Sequence, residues 1–117
     1  MNSKRANLIC LKKMVKYCDT VISICRKHHF DRDLFEKDEE FQYACGMCII
    51  QIGELVGRLD ETIRAENPDI PWNSIKGMRN IFAHEYDIVD SDTLWNTVTE
   101  DIPALKEKLS RMLHAEK

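Results

Sequence analysis

Eight residues in the second half of the chain read Arg79-Asn80-Ile81-Phe82-Ala83-His84-Glu85-Tyr86. The stretch ends an amphipathic pattern and gathers a permanent cation, an amide, an imidazole and a phenol. The guanidinium of Arg79 can bond two phosphate oxygens at once and keeps its charge. Histidine gains and loses a proton near neutral pH, so His84 is a candidate acid or base. The stretch therefore predicts a site for phosphodiester chemistry.

Helical spacing limits how these side chains can meet. At about 100° per residue, Arg79 and Tyr86 fall almost on one stripe, but His84 would point roughly 140° away from Arg79. All three face one groove only if the helix loosens or stops near residues 83–85. The same spacing is also common in a helix that ends with a histidine cap and carries a surface arginine. By itself, the R-x4-H-x-Y pattern is therefore a weak signal.

Further motifs accompany this stretch in a fixed order along the chain. They are Ile52-Gly53-Glu54, Asn67-Pro68-Asp69-Ile70-Pro71-Trp72, Ile75-Lys76-Gly77-Met78-Arg79-Asn80, Val89-Asp90, Leu94-Trp95 and Val98. Together with Arg79, Asn80, His84 and Tyr86, they resemble the HepT-like proteins of the HEPN superfamily, whose signature is R-x4-6-H-x-Y. Such proteins are encoded beside small MNT-type nucleotidyltransferases. The main departure of this chain is its cysteine-rich helices.

The resemblance implies a function and its partners. It implies a homodimeric endoribonuclease toxin of a type VII-like toxin–antitoxin system, which cleaves RNA to a 2′,3′-cyclic phosphate without metal or cofactor. It also implies that a cognate MNT-type nucleotidyltransferase, the antitoxin, silences the toxin by transferring AMP onto Tyr86. The expected partners are thus RNA, this nucleotidyltransferase and a second copy of the chain, with no role for DNA.

Metal-free cleavage of RNA typically uses one group that takes a proton from the 2′-hydroxyl and another that gives one to the departing 5′-oxygen. Each chain offers one strong candidate, His84, so a two-fold dimer is expected to supply the pair. Arg79 would stabilise the charge on the phosphorane, and Asn80 would position the phosphate or the histidine. Glu54 lies in an apolar run, either as an exposed carboxylate or as the partner that orients Arg79 or His84.

The sequence allows two other functions. The chain could be a catalytically silent subunit that docks the nucleotidyltransferase and holds a nucleotide phosphate on Arg79 and His84. It could also bind zinc, because Cys45 and Cys48 form a possible half-site that His28 and His29 would complete. However, Cys18 and Cys25 lie in an apolar stripe, where cysteine acts as a small hydrophobic residue. The histidines also lie in a connection, where a solvent-facing role is expected. No metal is therefore expected.

Composition excludes several classes of protein. The 117 residues are enough for one domain, residues 1–117. The composition, with 44% hydrophobic residues, 32% charged residues and few Gly or Pro, indicates a helical protein. A net charge of −3 argues against a protein that coats RNA, so positive potential should be confined to a cleft around Arg79, Lys76 and Arg58. There is no apolar run long enough for a membrane span and no secretory leader, which predicts a cytoplasmic protein.

Apolar periodicity predicts an all-α, antiparallel four-helix up-down bundle with a short extra helical turn. The expected elements are helices at 5–27, 38–64 and 73–83, a helical turn at 31–37, and a last helix running to the C-terminus. The first helix should bury Leu8, Leu11, Val15, Cys18, Ile22 and Cys25. Asp38 should cap the second helix, Asn73 or Ser74 the third, and Ser91 or Asp92 the fourth, which Pro103 should kink.

Two further features constrain the packing of these helices. Gly46, Gly53 and Gly57 weaken the second helix, which suggests that another helix approaches closely, either within the bundle or across a dimer axis. Pro68 and Pro71 end the helical pattern because they remove backbone donors. Trp72 is expected to staple the resulting loop to the core.

Overall fold

Four helical rods lie side by side in the computed structural model, which describes residues 3–85 and 87–116. The rods are α1 (Ser3–Lys27), α3 (Glu39–Val56), α5 (Trp72–Asn80) with a π-helical extension (Ile81–Glu85), and α6 (Ser91–Asn96) continued through a second π-helical segment (Thr97–Asp101) into α7 (Ile102–Glu116). Two short helices, α2 (Arg32–Lys37) and α4 (Glu61–Glu66), lie in the connections. No strand occurs in these described residues. The predicted all-α bundle is confirmed.

The contacts at the two ends of the rods show that neighbours run antiparallel. At one end, Ser91 at the start of α6 bonds to Glu36 of α2, which follows the end of α1. At the other end, Asn7 near the start of α1 bonds to Asp60, which follows α3. α1 packs on α3 and α7, and α3 packs on α5. Within the described residues, no helix is both long and apolar enough to cross a bilayer.

The buried stripe of α1 is rotated by one residue from the predicted one. Met14 and Val21 are fully buried, whereas the predicted Val15 and Ile22 are only half-buried. Both apolar pairs, 14–15 and 21–22, satisfy an alternating spacing of three and four, so periodicity alone could not choose between them. Leu11, Cys18 and Cys25 are buried as predicted.

Aromatic side chains close the α2 end of the bundle. Phe35 of α2 meets Phe41 edge-on at 5.1 Å between ring centroids and Trp95 at 5.2 Å. His28 stacks on Phe41 at 4.2 Å, and its Nδ1 lies 2.7 Å from the carbonyl oxygen of Ile24. The expected solvent-facing role is therefore wrong for His28, which is half-buried, while His29 is exposed.

The second predicted helix is interrupted at residues 57–60. Asn7, buried in α1, accepts a hydrogen bond from the backbone N–H of Asp60 at 3.2 Å and donates one to its carboxylate at 3.4 Å. An N–H that bonds to Asn7 is not available to continue α3, so the chain restarts as α4. The cap at Asp38 is confirmed, because its carboxylate accepts from Phe41 N.

The caps of the last two rods differ from those predicted. α5 begins at Trp72, and Pro71 before it supplies no side-chain cap, so the assignment to Asn73 or Ser74 is wrong. Asp90, rather than Ser91 or Asp92, caps α6, and the backbone hydrogen bond from Thr93 lowers the pKa of its carboxyl group.

Trp72 has the local role that the sequence predicted, whereas the kink at Pro103 stays a prediction. The last rod continues through Pro103. The π-helical segment Thr97–Asp101 lies just before this residue, and its wider winding accommodates the missing proline N–H. The indole N–H of Trp72 donates to the carbonyls of Arg64 and Asn67 at 3.0 and 3.1 Å, which fastens the proline-containing loop.

Two glycines of α3 permit the close approach of the third rod. A Cβ placed on Gly53 would lie 2.3 Å from Cβ of Arg79, and one on Gly46 would lie 3.2 Å from Cδ1 of Phe82. The close approach therefore occurs within the chain, which removes these two glycines as an argument for a dimer axis. Gly57 instead follows the end of α3 and meets only its own helix.

Gly53→Ala should destabilise the fold, because α5 must move away from α3 to admit a methyl group. We expect the free energy of unfolding to fall by about 1–3 kcal/mol. Gly77→Ala is the matched control, since no atom outside its helix lies within 4 Å of the added methyl, and alanine should stabilise that helix by up to about 1 kcal/mol. Denaturant unfolding measures both. Equal midpoints for the two variants would contradict the close approach.

Candidate functional site

Arg79 lies in the last turn of α5, where two hydrogen bonds orient its guanidinium. Its Nε donates to Oε1 of Glu54 at 2.6 Å, and its Nη1 donates to Oδ1 of Asn80 at 2.9 Å. The side chain remains 33% exposed. Within the described residues these bonds use only part of the N–H groups of the arginine, and the remainder can bind an anion with the forked geometry that suits phosphate.

The contribution of Glu54 to this site is orientation rather than stability. Its side chain is 46% exposed, and an ion pair so close to solvent contributes little to folding. However, a bond to Nε fixes the plane of the guanidinium and so the direction in which its Nη groups point. The contact is made possible by Gly53, the neighbour of Glu54, on which α5 rests.

His84 lies in the π-helical extension of α5, which is the loosening that the motif required. The wider winding of Ile81–Glu85 places more residues in each turn than an α-helix does, and such turns are frequent at functional sites. Phe82 anchors the segment by packing on Gly46. The His84 side chain is exposed, and among the described residues none is hydrogen-bonded to its ring. Its nitrogens are therefore accessible to a substrate.

Asn80 and Tyr86 complete the motif. Asn80 is exposed, and because its Oδ1 accepts from Arg79, its NH2 group remains able to donate. Tyr86 lies outside the described residues, so the structure adds nothing to its assignment.

Of the other predicted cations, Lys76 is the better placed. It is exposed and precedes Arg79 and Asn80 by three and four residues in α5, so it shares their face of the helix. Arg58 is exposed in the turn that follows α3. In a single chain, this face of α5 is open to solvent.

A mainly apolar cavity of about 240 Å³ opens beside the π-helical segment and the outer surface of α3. Its lining includes Tyr43, Met47, Ile50 and Phe82, but neither Arg79 nor His84. On α3, residues 43, 47, 50 and 54 follow the spacing of one helical stripe, and Tyr43 and Met47 are 51% and 59% exposed. We call residues 43, 47 and 50 the α3 stripe. It leads along the helix directly to Glu54.

The cysteines belong to the core. All five are buried free thiols. Burial raises the pKa of Cys18 to about 12 and also raises the pKa of Cys48, while a hydrogen bond with Cys25 and burial raise the pKa of Cys45. Metal binding needs thiolates, which these environments disfavour. Over the described ranges, no three His, Cys, Asp or Glu side chains are placed to hold a metal ion together. The role of Cys18 and Cys25 as small hydrophobic residues is confirmed.

Sequence reasoning missed two contributors to this site. Gly53 was read as a general sign of close packing, but its partner is Arg79 itself. The α3 stripe was not recognised, although the sequence shows large apolar residues at positions 43, 47 and 50, which are spaced by four and three residues.

Comparisons with known proteins agree with this architecture. A family model described as "Ribonuclease HepT-like" matches residues 9–112. A relative in Thermococcus cleftensis, named "Probable ribonuclease HepT", is 30% identical over 109 residues, which cover 93% of this chain and 97% of the relative. No solved structure matches the chain significantly.

Two further relatives are each named "Putative RNase". The one in Caldanaerobacter subterraneus subsp. tengcongensis is 30% identical over 107 residues, covering 92% of this chain and 94% of the relative. The one in Methanocaldococcus jannaschii is 29% identical over 103 residues, covering 88% and 84%.

Proposed function

Because the chain belongs to the ribonuclease HepT-like family, we propose that it is a metal-independent endoribonuclease whose reactive groups are Arg79, Asn80 and His84. Membership of the family indicates an RNase acting on RNA. The observation that carries the residue assignment is the pair of bonds from Arg79 to Glu54 and Asn80, which orients a guanidinium with donors to spare. The exposed imidazole of His84 follows five residues later in the chain.

The proposed reaction is a transesterification within the RNA strand. A base takes the proton from a 2′-hydroxyl, and the 2′-oxygen attacks the adjacent phosphorus. The bond from phosphorus to the 5′-oxygen breaks, and an acid protonates that oxygen. The products are a 2′,3′-cyclic phosphate and a 5′-hydroxyl. The spare N–H groups of Arg79 and the NH2 group of Asn80 donate to the phosphate oxygens, where negative charge increases in the transition state.

A second copy of the chain is needed to supply both the base and the acid, since each chain contributes one His84. A two-fold dimer uses the same surface patch on both partners. If that patch lies beside the motif, the two copies of the motif lie close together at the interface. The α3 stripe is such a patch, because its exposed Met47 and Tyr43 lead to Glu54 and hence to Arg79. We place the dimer interface there.

Silencing by a nucleotidyltransferase antitoxin completes the proposal and makes the chain the toxin of a toxin–antitoxin pair. The phenol oxygen of Tyr86 would attack the α-phosphorus of ATP, and pyrophosphate would leave. The AMP group would then add an anion two residues from His84, and this anion can pair with Arg79 in place of the RNA phosphate.

His84→Ala should abolish cleavage. We expect the parent protein to cut total RNA in excess chelator and to leave 2′,3′-cyclic ends, and the variant to be slower by at least about a hundredfold. His114→Ala is the matched control, because this histidine is also exposed but lies in the last turn of α7. Gel analysis of the RNA and an end-group assay measure the result. Intact RNA with the parent, together with tight binding to the neighbouring nucleotidyltransferase, would instead support the silent docking subunit.

Tyr86→Phe should prevent modification. Incubated with ATP and the cognate nucleotidyltransferase, the parent should gain the mass of one or more AMP groups and lose its ribonuclease activity, whereas the variant should gain none. Tyr17→Phe, which removes a hydroxyl from half-buried Tyr17 of α1, is the control and should be modified like the parent. Intact-protein mass spectrometry measures the transfer. Equal AMP incorporation into Tyr86→Phe would refute the assignment of this tyrosine.

A further inference from the structure

The charges of this acidic protein are strongly segregated. α1 contains seven basic residues and one acidic residue, Asp19. The rest of the chain then contains ten basic and nineteen acidic residues, although the whole chain differs from neutrality by only −3. The basic residues of α1 are Lys4, Arg5, Lys12, Lys13, Lys16, Arg26 and Lys27. The net charge of the whole chain does not reveal the excess of positive charge on α1.

The lysines in the middle of α1 lie on its outer face. Leu11, Met14 and Cys18 are fully buried against the core. At about 100° per residue, Lys12 and Lys16 lie on the opposite side of the helix, within roughly 40° of each other. Lys12, Lys13 and Lys16 are exposed, and in the described part of the chain none of them has an ion-pair partner. We call these three residues the α1 lysine face.

Asp19, the acidic residue of the helix, does not neutralise this face. Its carboxylate pairs with Lys106 of α7 at 2.5 Å. The α1 lysine face therefore presents uncompensated positive charge, while the rest of the chain has a net negative charge.

α1, which carries the lysine face, is a direct neighbour of α3, the helix on which Arg79 packs. The bonds between Asn7 and Asp60 fix the register of α1 against antiparallel α3. Gly53 is the residue on which Arg79 rests. The α1 lysine face therefore lies on a helix that is separated from α5 by α3 alone.

We propose that the α1 lysine face binds the phosphate backbone of the RNA that the Arg79–His84 site cleaves. This inference rests on the proposed ribonuclease activity and extends it to a second, sequence-independent contact. Lysines neutralise phosphates by releasing counterions and read no base, so the face increases affinity for long strands without selecting a sequence. RNA is the polyanion on which the family acts. A bilayer is a poorer fit, because the apolar side of α1 is buried in the core and has nothing to insert. On this proposal, the positive potential that binds RNA is not confined to the cleft around Arg79.

The test compares two double variants that lose the same charge. Lys12→Gln with Lys16→Gln removes the centre of the face, and Lys37→Gln with Lys117→Gln removes two lysines elsewhere in the sequence. Glutamine retains helix propensity, so α1 should remain folded. The probe for binding is a single-stranded oligonucleotide whose 2′-O-methyl groups prevent cleavage. The probe for chemistry is a ribodinucleotide, which has a single internucleotide phosphate and so offers no further backbone to the α1 lysine face.

We expect the face variant to bind the oligonucleotide at least about tenfold more weakly at low salt. Its plot of log affinity against log salt should become shallower by about 1.4, the value for two lost phosphate contacts on a single strand. Cleavage of the dinucleotide should be unchanged, and the control pair should match the parent in both measurements.

A salt slope equal to that of the control pair would overturn the proposal. So would a face variant that keeps its RNA affinity but loses binding to the cognate nucleotidyltransferase, because the face would then serve an acidic protein. If the parent does not cleave the dinucleotide or total RNA, the ribonuclease proposal fails. The salt slopes report on the lysine face separately from that result.

Discussion

The contact between α5 and the backbone of α3 at Gly53 determines where the motif lies. A Cβ at this position would lie 2.3 Å from Cβ of Arg79, so only glycine permits the observed approach. This approach brings the guanidinium to Glu54, the next residue along α3, and the 2.6 Å bond between them orients the arginine. The second contact, between Gly46 and Phe82, holds the following π-helical segment. The packing of two helices thereby sets the orientation of the arginine that we propose to bind phosphate.

For the proposed reaction, the motif of one chain is incomplete. Arg79 is fixed and His84 is exposed, but the cavity beside Phe82 includes neither of them. The proposed reaction needs both a base and an acid, and therefore two imidazoles, whereas each chain contributes one His84. The α3 stripe connects these facts, since its apolar residues lie beside the motif and leave Met47 more than half exposed. We propose that part of the substrate affinity comes from α1, where seven basic residues accompany one acidic residue.

Much of the fold could be predicted because its signals are local. The apolar stripes predicted the main helices, and Asp38 was predicted as a cap. The spacing of the motif predicted a loosened turn, which is present at Ile81–Glu85. The errors arose where sequence signals were degenerate or the cause was distant. Adjacent apolar pairs could not fix the rotation of α1, and the break after α3 depends on Asn7, more than fifty residues away. The contact between Glu54 and Arg79 was one of two alternatives, and only the tertiary structure could select it.

The need for a second copy is tested most directly by the mass and activity of Met47→Glu, which places a charge at the centre of the α3 stripe. Light scattering should show a folded monomer that has lost RNA cleavage, because the two copies of His84 no longer meet. Phe30→Glu is the control: Phe30 is similarly exposed but lies in the connection after α1, and this variant should remain dimeric and active. A Met47→Glu monomer that cleaves RNA as fast as the parent would contradict the two-copy site. A variant that stays dimeric would contradict the assigned interface.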